Sequence, residues 1–148
     1  MTKNCIVMVK GIQKMVSDPG EPEPIELITV GRYDMKDGRH VIEYDEVFEG
    51  LPGKTHNIVN IDIGSVTVSK TGQVNTDMLF EVGRINMAAY ETPYGLLDMS
   101  FETTAVNFEK TDRGFQLNIA YKMSVGGQLS ADCRLELNIK FRVKKKKS

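Results

Sequence analysis

The chain of 148 residues contains no tryptophan, two cysteines, two histidines and five prolines, and aromatic residues make up 7% of it. Cys5 and Cys133 carry no CxxC spacing, so they build neither a disulfide framework nor a thiolate zinc site; two reduced, buried thiols are expected. His40 and His56 have no cysteine or paired carboxylates spaced around them, so neither a metal site nor any other cofactor is expected. No GxSxG, HExxH or Walker pattern occurs, and neighbouring acids such as Asp45 and Glu46 point to opposite faces of a strand. No catalytic residue is therefore assigned, and an enzyme is disfavoured. Long apolar runs are missing too. The N-terminal Cys5 to Val9 is far short of a membrane span and has no cleavage site after it, which makes a cytoplasmic protein the expectation.

A strong excess of one charge is also lacking. The net charge is −1, and setting aside the four positive charges of Lys144 to Lys147 takes the remainder to −5. An acidic body with a short basic tail disfavours a nucleic-acid surface, which would spread Lys and Arg over one folded face. Residues 144–148 read either as a weak anchor for phosphate-bearing partners or as a solvated terminus.

What the chain does have is alternation. Phe115, Leu117, Ile119, Tyr121, Met123 and Val125 occupy every second position, and the series resumes after Gly126-Gly127 at Leu129 and runs to Val143. Fourteen apolar residues on one parity cannot make a stripe of period 3.6 but do line one face of an antiparallel ribbon. The rest follows the same rhythm, with no helical repeat.

Strands are expected over Asn4 to Met15 with a bulge at Gly11, Ile25 to Lys36, Arg39 to Glu49, Thr55 to Ile61, Val66 to Lys70 and Val74 to Val82. Others follow over Asn86 to Glu91, over one long segment from Leu97 past Phe108, and in the final ribbon. Turns are read at Asp37-Gly38, Asp62 to Ser65, Thr71-Gly72, Thr92 to Gly95 and Thr111 to Gly114. The parity switch between Phe101 and Val106 suggests a bulge. The expected fold is a single all-β domain over residues 1–143, an up-and-down antiparallel β-barrel of about 8–10 strands that closes on itself and so removes its edges. If the first and last strands meet, Cys5 and Cys133 should be near neighbours.

Lys70-Thr71-Gly72, then Tyr90-Glu91-Thr92-Pro93-Tyr94-Gly95, then Ile119-Ala120-Tyr121 leading to Val125-Gly126-Gly127, together resemble the YwiB-like family, a domain of unknown function (DUF1934). The likeness runs over nearly the whole chain. It implies a calycin-like barrel, the broad class of lipocalins and fatty-acid-binding proteins, and brings no assigned biochemical role. Where relatives often carry Arg, this chain has Lys70, a point charge in place of a bidentate fork.

His40, Ile42, Tyr44, Glu46 and Phe48 share one parity, so an inward aromatic face turns Glu46 inward as well. Lys70 shares parity with Val66 and Val68. A buried carboxylate needs a partner, and a Glu46 to Lys70 contact supported by the hydroxyls of Tyr44, Tyr90 or Tyr121 would supply one. Such a group would orient the polar head of a ligand; alternatively it is an ion pair at the rim, or Glu46 faces water. Tyr90, Tyr94 and Tyr121 read as lining a mouth or as packing residues. The methionines read as an adaptable lining or as core filler.

Two readings of function stand. One is a non-catalytic cytoplasmic barrel holding a small, mostly apolar ligand at Tyr44, Glu46, Lys70, Tyr90, Tyr94 and Tyr121. The other is a solidly packed barrel acting through its surface and loops on a protein or RNA. A homo-oligomer is not indicated. Interior volume separates the two.

Overall fold

The computed structural model describes residues 2–15, 20–47, 50 and 52–142. Ten strands account for most of them: β1 (Lys3–Met15), β2 (Ile25–Lys36), β3 (Arg39–Glu46), β4 (Thr55–Asp62), β5 (Ser65–Gly72), β6 (Thr76–Glu81), β7 (Ile85–Thr92), β8 (Gly95–Thr111), β9 (Gly114–Val125) and β10 (Gln128–Phe141). There is no helix among the described residues, and hence none long and apolar enough to cross a membrane.

All strands join one antiparallel sheet in the order β6-β5-β4-β3-β2-β1-β10-β9-β8-β7. Two meanders, β1 to β6 and β7 to β10, are fused where the first strand pairs with the last, from Cys5 opposite Phe141 to Met15 opposite Ala131. The sheet rolls into a nearly closed barrel whose free edges, β6 and β7, come together. There Asn75 and Glu91 exchange two backbone hydrogen bonds of 2.9 Å, and the turn that links the two strands is tied to β8, Gly83 N–H donating to Thr103 O at 2.9 Å and Thr103 N–H to Arg84 O at 3.2 Å.

Turn chemistry explains much of the register. Asp37 and Gly38, at φ +52° and +78°, link β2 to β3 as a tight Asp-Gly hairpin, and Gly64 at φ +74° does the same between β4 and β5. The bulge read within the long eighth strand is present as a register shift between Thr103 and Ala105.

Other expectations are corrected. Gly11 is not a bulge, because its pairing with Leu135 runs straight on to Ile12 with Arg134. Thr71 and Gly72 are not a turn but the end of β5, paired with His56 and Thr55; the chain turns one step later, at Gln73 and Val74. Described β3 ends at Glu46, whereas Phe48 and Glu49 lie outside the described residues. A register shift between Leu129 and Ala131 adds Ser130 to β10, so Leu129 leaves the inward parity and is 51% exposed. Val143 and the tail Lys144 to Lys147 also lie outside the described residues. The first and last strands do meet, yet Cys5 sits opposite Phe141 and Cys133 opposite Gln13. Eight residues of strand separate the thiols, about 26 Å at ~3.3 Å per residue, because antiparallel pairing sets opposite ends of the two strands together.

The interior has two halves. At one end Tyr33, His40, Phe108, Phe115 and Phe141 form an aromatic cluster over Cys5, Val7, Ile42, Leu117 and Ile139, all five of these buried. His40 stacks on Phe108 at 4.8 Å between ring centres, and its Nδ1 lies 2.7 Å from the Tyr33 hydroxyl. Burial, with Lys110 nearby, pulls the His40 pKa below its ordinary 6.5. The opposite end is hollow.

A Cβ added at Gly114 would overlap the Ile139 carbonyl oxygen. Gly114→Ala should therefore lower stability by about 2–3 kcal/mol, whereas Gly64→Ala, with open space around it, should cost about 1 kcal/mol through its backbone angle alone; urea midpoints check both. Because the folded state depresses the His40 pKa, the unfolded chain takes up that proton first, so stability should fall as pH drops through 6.5 and level off below the folded value. His40→Phe should flatten this part of a plot of urea midpoint against pH.

Candidate functional site

The hollow end is built by one rung of the sheet. Gly31, Tyr44, Asn57, Lys70 and Thr76 stand directly opposite one another across β2, β3, β4, β5 and β6, so their inward faces form a belt. The bridge between Asn75 and Glu91 brings Thr76 level with Tyr90 across the seam. Glu46, two residues beyond Tyr44 on the same face of β3, reaches back into this belt. Gly31 is required here, since a Cβ on it would come 2.6 Å from the Glu43 carbonyl oxygen and 2.7 Å from Val7 Cγ2.

Lys70 Nζ donates to Glu46 Oε1 at 2.8 Å and to Asn57 Oδ1 at 2.6 Å. Asn57 Nδ2 completes the triangle, donating to Glu46 Oε1 at 3.1 Å and to the Thr55 carbonyl at 3.3 Å. The Lys70 and Glu46 side chains are 13% and 21% exposed and Asn57 is fully buried. Two opposite charges withdrawn from water are tolerable only when paired and hydrogen-bonded, which is the arrangement found. Burial first, and the Glu46 carboxylate second, push the Tyr44 and Tyr90 hydroxyls above the usual phenol range, so both stay protonated donors. Tyr121 is raised mainly by burial, with the neighbouring Cys133 adding to it, and the Cys133 thiol is itself pushed up to about 11, mainly by burial. A thiol so held is no nucleophile at neutral pH.

Above the triangle lies a cavity of about 330 Å³. Glu46, Lys70, Tyr44 and Tyr90 give it one polar wall; Val9, Leu27, Val68, Met78, Phe80, Met99, Phe101 and Met123 make most of the apolar lining, and Tyr121, Gln13 and Arg134 also border it. The volume is at the small end of those that hold organic ligands, and the lining of apolar surface with a few convergent polar groups is of that kind.

Of the six residues singled out from the sequence, Tyr44, Glu46, Lys70, Tyr90 and Tyr121 border this one cavity. Tyr94 does not: it stands on the turn between β7 and β8, 84% exposed, with its backbone N–H donating to Thr92 Oγ1. Sequence reasoning missed Asn57 and Thr76. The signal existed, because Asn57 shares its parity with the buried Val59 and Ile61 and Thr76 shares its own with Met78 and Phe80. The histidines lie elsewhere, His40 in the aromatic cluster and His56 on the outer surface, where its Nδ1 is 2.8 Å from Asp45 and its Nε2 3.3 Å from Glu43.

A family model described as a domain of unknown function (DUF1934) matches residues 8–137. The uncharacterized beta-barrel protein YwiB of Bacillus subtilis (strain 168) is 29% identical over 117 residues, which cover 79% of this chain and 81% of that protein. The crystal structure of the ywiB protein from Bacillus subtilis aligns with a TM-score of 0.80 at 25% identity, over 96% of this chain and 94% of that one.

Lys70→Met, which strands the Glu46 carboxylate, should lower stability by about 3 kcal/mol. The double variant Glu46→Gln/Lys70→Met should lose less than the sum of the single changes, with a coupling of about 1–3 kcal/mol in a double-mutant cycle followed by urea unfolding.

Proposed function

The chain belongs to the DUF1934 family, and from the geometry of its barrel we propose that it is a non-catalytic binding protein that takes one small, mostly apolar molecule into the hollow end. The cavity of about 330 Å³ carries this reading. At the ~30 Å³ that a water molecule occupies in the liquid, such a space takes about a dozen non-hydrogen atoms. A space that large, open to solvent beside Ile25 and Leu97 and mostly apolar in its walls, holds water poorly and gains from an apolar guest, because few polar groups are there to bind water. Lys70, Glu46 and the Tyr44 and Tyr90 hydroxyls supply a head site at one wall, so a guest would enter with its oily part among Met78, Phe80, Met99 and Phe101. This is a calycin-like use of a barrel interior.

The same volume weighs against a barrel packed solid and working through its outer surface alone. Cys5 and Cys133 are free, buried thiols set too far apart to bridge, which agrees with a reducing, cytoplasmic setting.

Native mass spectrometry of the protein isolated gently from its own cells should find an added mass that is lost on unfolding. Detection of the bare chain alone, together with no uptake of apolar probes by the purified protein, would overturn the proposal.

A further inference from the structure

The polar wall also says what head group it accepts. Resting on the binding role just proposed, we infer that the guest is an uncharged amphipath whose head both donates and accepts a hydrogen bond, a hydroxyl or a primary amide on a short apolar tail. The argument is a count of donors and acceptors. Lys70 has three N–H donors, of which Glu46 Oε1 and Asn57 Oδ1 take two; among the described residues the third has no acceptor. Asn57 has no amide hydrogen to spare, since Nδ2 serves both Glu46 and the Thr55 carbonyl. Glu46 receives both its bonds on Oε1, which leaves Oε2 open among the described residues. Opposite Lys70 on β6, the buried Thr76 Oγ1 has no partner among the described residues.

The wall thus presents a donor on Lys70 and an acceptor on Glu46 with their charges already cancelled, flanked by the Tyr44 and Tyr90 hydroxyls, which can each donate or accept. A hydroxyl or amide answers both at once: its oxygen accepts from Lys70 and its hydrogen goes to Glu46 Oε2. A carboxylate accepts but cannot donate, and it would set a second negative charge beside Glu46, whereas the Arg134 cation that also borders the cavity is exposed and its attraction is screened by solvent. An ammonium donates but cannot accept, and it would crowd Lys70 in the same way.

Calorimetric titration of the whole protein at about pH 7 with 1-decanol, decanoate and decylammonium separates these cases, since all three are unbranched ten-carbon chains that differ at the head. Decanol is expected to bind at least about tenfold more tightly than either ion, since each ion leaves a charged hydrogen-bonding group unanswered. Glu46→Gln should shift preference toward decanoate and Lys70→Met toward decylammonium. If either single variant fails to fold, the double variant Glu46→Gln/Lys70→Met, with no charge to bury, should still prefer decanol. Binding of either ion to the unaltered protein as tightly as decanol would overturn the choice of head group while leaving the binding role intact. No binding of any of the three, with the bare chain alone seen by mass spectrometry, would overturn both.

Discussion

The pairing of β1 with β10 is the constraint from which the rest of the molecule follows. Eleven register pairs, Cys5 with Phe141 through Met15 with Ala131, join the two ends of the chain. Without them the first six strands and the last four would be separate meanders, each with one face of oily side chains and nothing to cover it. With them the sheet is long enough to roll up, and the inward parity of every strand finds its cover on the opposite wall. A contact spanning almost the whole sequence carries a large loop-closure cost, so folding is expected to be slow relative to helical domains of this size.

Closure is also what makes a site out of residues far apart in sequence. Tyr44, Asn57, Lys70 and Thr76 are unremarkable strand residues until the register places them on one rung. The interior then divides by chemistry. The end holding Tyr33, His40, Phe108, Phe115 and Phe141 is filled by closely packed rings, while the end holding Glu46 and Lys70 keeps a cavity. Rigidity at the packed end holds the polar triangle in place, since Ile42 and Val59 in the packed core lie two residues along their strands from Tyr44 and Asn57.

Much of this was legible in the chain itself, and the reasons differ by residue. Phe115 to Val125 announced a strand because a period of two has no helical counterpart. Glu46 and Lys70 could be paired on paper because each stood on the apolar parity of its strand, where a lone charge is intolerable. Leu129 misled, because the alternation runs unbroken through Gly126-Gly127 and nothing local marks Ser130 as an extra residue. The thiols misled for a related reason: strand adjacency was inferred correctly, but antiparallel register decides which residues face each other, and alternation is silent about register. The cavity was beyond reading, because its volume is set by how ten strands close and not by any one of them.

The barrel's two lines of closure are unequal. Parting β1 from β10 would break a ladder running the length of both strands, while β6 and β7 are stitched by the Asn75 and Glu91 pair at one end and joined at the other by a turn whose Gly83 and Arg84 hold to Thr103 of β8. Thermal breathing concentrates where the fewest bonds resist it, so the wall should yield first along β6 and β7. That slit runs past Thr76 and Tyr90, beside the polar wall. A gape there would widen the mouth that the exposed Ile25 and Leu97 already leave to this end of the interior.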